Sequence, residues 1–161
     1  MVADGRNTFL RNGYNGDVVE AIKSCYEQFK EQPKDHVKNL RGLSVKDQCL
    51  AIFTNLVENV QYQVDPDGVQ YIKSPARLLD DGYGDCKSLS MYICCCLNCL
   101  NRKHAFRFVD FDGCGQYTHV YAIAWDENGR EIILDACEKD DEGYTLFDYA
   151  RPYKRKLDVI Y

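Results

Sequence analysis

The sequence predicts one α+β domain, with helices first and an antiparallel sheet after them. Three observations carry this. Apolar residues recur at spacings of three and four up to about residue 100, they alternate with period two beyond it, and no repeat or linker divides the chain.

The first sixteen residues are rich in Gly, Asn and Asp, show no period and read as irregular. From Asp17 a helical pattern runs through Val18, Ala21, Ile22, Cys25 and Phe29 until Pro33 ends it. Ser44 reads as the N-cap of a second helix whose face is Val45, Cys49, Ile52, Phe53, Leu56 and Val60. Val60, Tyr62 and Val64 then alternate before the turn Asp65-Pro66-Asp67-Gly68. Ser74-Pro75 suits the cap and first position of a short helix that stops at Gly82. Asp85 caps a helix over about 86–100, with Leu89, Ile93, Leu97 and Leu100 on one face. Residues 105–111, 117–125 and 131–136 read as strands, with 144–149 as a further candidate.

At 161 residues a domain can bury roughly 70% of its unfolded surface without a staple. The formal net charge of -5 leaves no electrostatic footprint for nucleic acid or an anionic membrane surface. The local basic cluster Arg151, Lys154, Arg155, Lys156 reads as a solvated tail. No secretory signal pattern and no run of 18 apolar residues is seen, so a cytoplasmic protein is expected. Nine cysteines, an odd number with three in a row, are then expected to be mostly free thiols.

Within Gly82-Tyr83-Gly84-Asp85-Cys86, the last residue falls at a helix start, where unpaired N–H groups and the helix dipole favour a thiolate. The glycines permit a tight turn and are expected to leave room for a substrate chain. The Cys86 N–H is a natural donor to an oxyanion formed at the carbon its sulfur attacks.

A nucleophilic thiol needs a base, and the base needs an orienting group. Of three histidines, His36 sits in a polar connection, and His104 at a helix-to-strand junction suits a structural or solvated role. His119 lies inside a strand pattern. Asp135 interrupts the apolar run Ile132-Ile133-Leu134, where a carboxylate is costly unless paired. A two-residue Asn128-Gly129 turn would put Asp135 and His119 on opposite faces. A three-residue loop over 127–129, with Gly129 in a G1 bulge, sets Asp135 opposite Tyr121 and diagonal to His119 on one face. The bulged register is the one expected, and it makes Cys86 the nucleophile, His119 the general base and acid, and Asp135 the orienting carboxylate.

On these residues the sequence resembles the transglutaminase-like superfamily of papain-like cysteine enzymes, particularly its small bacterial and phage-associated members. The resemblance spans about residues 60–137: Asp-Pro-x-Gly, Ser-Pro-x-x-Leu-Leu, Gly-Asp-Cys, His-Val and Leu-Asp stand in the family's order, with 1–59 as a helical flank. It implies a papain/transglutaminase-like α+β fold and acyl transfer through a thioester at Cys86, His119 and Asp135, with no metal and no organic cofactor. It also implies a protein or peptide substrate, with phage or mobile-element proteins as possible partners and a phage or prophage as a possible source. The family holds amide hydrolases and proteases, acyltransferases that crosslink Gln to Lys, and inactive binding modules. The resemblance departs at Lys87 and Ser88, since members often carry an acidic residue directly after the cysteine. A second oxyanion donor is expected upstream, with Gln61, Gln63 and Gln70 as candidates.

The run Cys94-Cys95-Cys96-Leu97-Asn98-Cys99 contains one CxxC but no second knuckle, and reads as small core residues on a helix rather than a zinc site. Cys114, between two glycines, is expected to be exposed, and Tyr83 and Tyr117 are candidates for lining the approach to the sulfur.

Overall fold

The computed structural model describes residues 7–11 and 15–161. The helical half opens with strand β1 (Asn7–Arg11), then α1 (Asn15–Phe29), a short α2 (Lys34–Val37) that runs into a 3-10 turn, and α3 (Val45–Asn59). After β2 (Gln61–Tyr62) and β3 (Val69–Lys73) come α4 (Pro75–Asp81), β4 (Tyr83–Gly84) and α5 (Cys86–Cys99). The second half is β5 (His104–Asp110), β6 (His119–Trp125), β7 (Glu131–Leu134) and β8 (Arg155–Ile160). Four strands form an antiparallel sheet in the order β7-β6-β5-β8, β1 pairs with β3, and β2 runs parallel to β4.

Local chemistry sets the helix ends. Ser44 Oγ accepts from the Asp47 N–H at 3.1 Å and Ser74 Oγ from the Arg77 N–H at 3.4 Å, each satisfying an orphan donor of a first turn. Gly82 ends α4 in the left-handed conformation at φ 70°, which a side chain would resist.

Helix α5 is the hub. An amphipathic helix was expected, yet of its 14 residues only Cys86 and Asn98 escape full burial, because α1, α3, α4 and the sheet surround it. The four clustered cysteines are therefore core residues: burial pushes the Cys94, Cys95 and Cys96 thiols up, and Cys99 up to about 11. Ser90 Oγ donates to the Cys86 carbonyl at 2.6 Å and lies 3.1 Å from that of Val120, fastening the first turn of α5 beside the start of β6.

The hairpin register is the bulged one. Ile123 opposes Ile133 and Trp125 opposes Glu131, the Asp126 N–H donates to the Arg130 carbonyl at 2.9 Å, and Gly129 takes φ 77°. Arg107, buried in β5, reaches Glu131 of β7 and Asp158 of β8 with 2.8 Å bonds to each, bracing the sheet from both sides.

Three expectations need correction. The stretch read as irregular contains β1, whose pairing with β3 is a tertiary effect that local pattern does not encode; the remainder of 1–14 lies outside the described residues. Residues 144–149 form no strand beyond one bridge between Lys139 and Thr145. The basic cluster is solvated as expected but is not a tail: Arg155 and Lys156 open the edge strand β8, where exposed charges suit an unpaired edge. Among the described residues no helix is long and apolar enough to cross a membrane.

Candidate active site

The N-terminus of α5, the start of β6 and the end of β7 converge on one cleft. Cys86 is the first residue of α5, and Asp85 caps that helix by accepting the Lys87 N–H at 3.1 Å. Of the two glycines before it, Gly82 serves the left-handed end of α4 and Gly84 serves packing. A Cβ on Gly84 would come 2.6 Å from Leu78 Cδ1 and 3.1 Å from Ser88 Cβ, so the space expected for a substrate is filled by α4 and α5. The Gln61 and Gln63 N–H groups donate to the Gly82 and Gly84 carbonyls, each at 2.9 Å, which holds the turn before Cys86 against β2.

His119 Nε2 lies 2.7 Å from Asp135 Oδ2. A carboxylate can only accept, so Nε2 carries the proton of that bond and Nδ1 is the nitrogen left for a second partner. Cys86 lines the same cleft as His119, and its side chain is near enough to favour a proton on the imidazole. Burial alone would lower the histidine pKa, but Asp135 and Cys86 overcome it and push the group up to about 10. The ring is wedged between Phe111, stacked at 5.6 Å, and Tyr121 at 5.9 Å. Asp135 is 2% exposed and its other oxygen accepts the Cys137 N–H at 3.1 Å, fixing the carboxylate in its rotamer.

Thus the structure brings Cys86, His119 and Asp135 together. The other histidines stand apart: His104 is buried between the Tyr26 hydroxyl at 2.9 Å and the Arg102 carbonyl at 2.7 Å, and His36 is exposed near Asn55.

The cleft measures about 340 Å³. Its apolar wall is Val18, Tyr62, Phe108, Tyr117 and Val120; its polar wall is Asp65, Gln70, Asp85 and Lys87. Tyr117 lines the approach as expected, whereas Tyr83 instead lies under the Lys73 ammonium, 3.5 Å from its ring centre. Cys114 is exposed and does not line the cleft. Of the glutamines, Gln70 is on this wall, and it shares a face of β3 with the buried Ile72.

Two neighbours of the site were not anticipated. Tyr62 is half-buried, and its hydroxyl is pushed up by burial with Cys137, Cys86, Asp85 and Asp135 adding. Cys137 brings its sulfur within 4.8 Å of the ligand atoms of His119 and Asp135, and burial together with Cys86 and Asp135 holds it as the thiol. The two-residue step from Asp135 was its only signal. Among the described residues these are the one group of three or more His, Cys, Asp or Glu close enough together to hold a cation, but its histidine and carboxylate are already bonded to each other.

No family model matches the chain, and no curated protein matches it in sequence. Solved structures do. Two structures of Legionella pneumophila LapG, one of them calcium-bound, align at TM-score 0.54 and 18% identity over 88% of this chain and 83% and 81% of theirs. A Cytophaga hutchinsonii protein described as a candidate cysteine protease aligns at TM-score 0.45 and 14% identity over 92% of this chain, which spans only 53% of that longer one. The likeness to the LapG pair is one of fold, and it assigns this chain the mixed α+β architecture of papain-like and transglutaminase-like cysteine proteases.

Proposed function

We propose that the chain is a thiol-dependent amide hydrolase acting on peptide or isopeptide bonds. The observation that carries this is the imidazole of His119 held between a cysteine at a helix start and a buried carboxylate 2.7 Å away. The fold it shares with LapG, a transglutaminase-like cysteine protease, supports the same class.

In this reading the Cys86 sulfur attacks the carbonyl carbon and the pair of electrons moves to oxygen, where the Cys86 N–H and the Gln70 carboxamide stabilise it. His119 gives its proton to the departing amine as the C–N bond breaks, leaving a thioester. Water then attacks, His119 takes its proton, and collapse releases the acid and restores the sulfur. Asp135 keeps Nδ1 turned toward the sulfur throughout. The apolar wall suits an uncharged side chain beside the scissile bond.

One LapG structure is calcium-bound. Beside the nucleophile of this chain the carboxylates that could receive a cation are Asp65 and Asp85, and the Lys87 ammonium already bonds both. These residues do not fit a divalent ion, and no step passes through one.

The test is intact-mass analysis with peptide chloromethyl ketones, using a Cys114→Ser background to silence the exposed thiol. One adduct is expected on the parent and none on Cys86→Ala. An adduct that persists in Cys86→Ala, or a parent that reacts no faster than free cysteine, would sink the reading.

A further inference from the structure

Lys87 is the feature the reaction scheme leaves unused. Its side chain is 6% exposed, directly after the nucleophile, and its ammonium lies 3.2 Å from Asp65 Oδ2 while also bonding Asp85 Oδ2. Those carboxylates are themselves 13% and 6% exposed. An ammonium is rarely buried this deeply unless it is paired, and removing one partner of such a set strands the others.

The two carboxylates belong to separate segments that meet at this ammonium, on the polar wall of the cleft. Asp85 is the cap of α5. Asp65 lies in the loop between β2 and β3 and accepts the Tyr71 N–H at 2.7 Å, so it fixes the chain next to Gln70. Burial pushes the Asp85 carboxyl up to about 6, with Asp65 adding to the push and Lys87 opposing it. Burial would likewise lower the lysine, but Asp85, Cys86 and Asp65 raise it, so the charge stays on the ammonium.

We propose that Lys87 is the positioning residue of the cleft: its ammonium clamps the β2–β3 loop to the cap of α5, from within the chain, in the place a divalent ion would occupy. The proposal rests on the reading of Cys86 as nucleophile. Carboxylates converging from separate segments are the oxygen set that calcium bridges, and a lysine between them makes the external ion unnecessary. Its charge also adds to the helix field at the sulfur. A consequence follows for Lys87→Gln: the charge is gone, a neutral oxygen takes its place, and a site for a divalent ion opens.

The experiment compares the parent (Cys114→Ser) with Lys87→Gln in EDTA and in millimolar calcium, reading the alkylation rate of Cys86 by intact mass and the thermal midpoint. The parent is expected to ignore calcium in both. Lys87→Gln is expected to alkylate roughly tenfold to a hundredfold more slowly in EDTA, the size of loss that a displaced wall causes. Calcium should restore most of the rate and raise the midpoint. Alkylation of Lys87→Gln at the parental rate in EDTA overturns the proposal, as does a slowed variant that calcium leaves unchanged, which marks a packing role alone. Should Lys87→Gln fail to fold, Asp65→Asn cuts the clamp at its far end and leaves the cap intact; unchanged alkylation there overturns it equally. An unreactive parent refutes the nucleophile instead, and the midpoints still decide the lysine.

Discussion

Asp135 Oδ2 sits 2.7 Å from His119 Nε2, although His119 opens β6 and Asp135 directly follows β7, its partner in the hairpin. The bond exists because one extra residue in the 127–129 loop turns both to the same face. Asp135→Asn keeps the shape but offers an amide whose nitrogen cannot accept the Nε2 proton. Turnover should fall by about a thousandfold with a much smaller change in KM, the pattern of a lost tautomer rather than a lost binding contact. Steady-state kinetics on a peptide substrate measure it, and a loss under tenfold would show that the carboxylate does not orient the ring.

The same bond makes stability depend on pH. The His119 pKa is raised to about 10 in the folded chain, against about 6.5 unfolded, so between these values the folded state holds a proton that the unfolded state has lost. The stabilisation is complete below pH 6.5 and disappears as pH rises through 10. Urea midpoints of the parent should therefore fall from pH 7 to pH 10, whereas His119→Gln should show a shallower decline. Parallel slopes would remove the proton from His119.

Gly84 tests why two glycines precede the cysteine. Its backbone is not left-handed, so the requirement is space: a Cβ would meet Leu78 Cδ1 at 2.6 Å in a fully buried contact. Gly84→Ala should cost about 1–3 kcal/mol of stability by overpacking. Combining it with Leu78→Val, which withdraws the clashing methyl, should cost less than the sum of the two single changes by about 1 kcal/mol. Strict additivity in urea unfolding would place the strain elsewhere.

Much of this was legible in the sequence for a physical reason. Helix caps at Ser44, Ser74 and Asp85 and the glycine of the 127–129 loop act within four residues, and local chemistry is what sequence displays. The convergence of His119 with Asp135 could be reached because a hairpin register propagates from its turn. What sequence hid was long-range. The pairing of β1 with β3 spans about sixty residues, the all-round burial of α5 depends on elements that arrive from both ends of the chain, and β8 joins the sheet beside β5 across the whole second half. Lys87 was visible as a departure from the family pattern, but its partner Asp65 was marked only as part of a turn.

Gln70 is the upstream glutamine that lines the cleft with Cys86, on the face of β3 that also carries the buried Ile72. Gln61 borders a separate cavity on the far side of β2, and Gln63 is exposed and outside the cleft lining. If Gln70 completes the oxyanion site, Gln70→Ala removes an interaction made fully only when the carbonyl oxygen becomes an anion. Turnover should drop by about 10²-fold with KM nearly unchanged. Alkylation of Cys86 by iodoacetamide, which builds no oxyanion, should proceed at the parental rate. Gln61→Ala and Gln63→Ala should retain parental turnover. A Gln70→Ala enzyme that loses alkylation and hydrolysis together would instead show that the glutamine supports the wall and not the transition state.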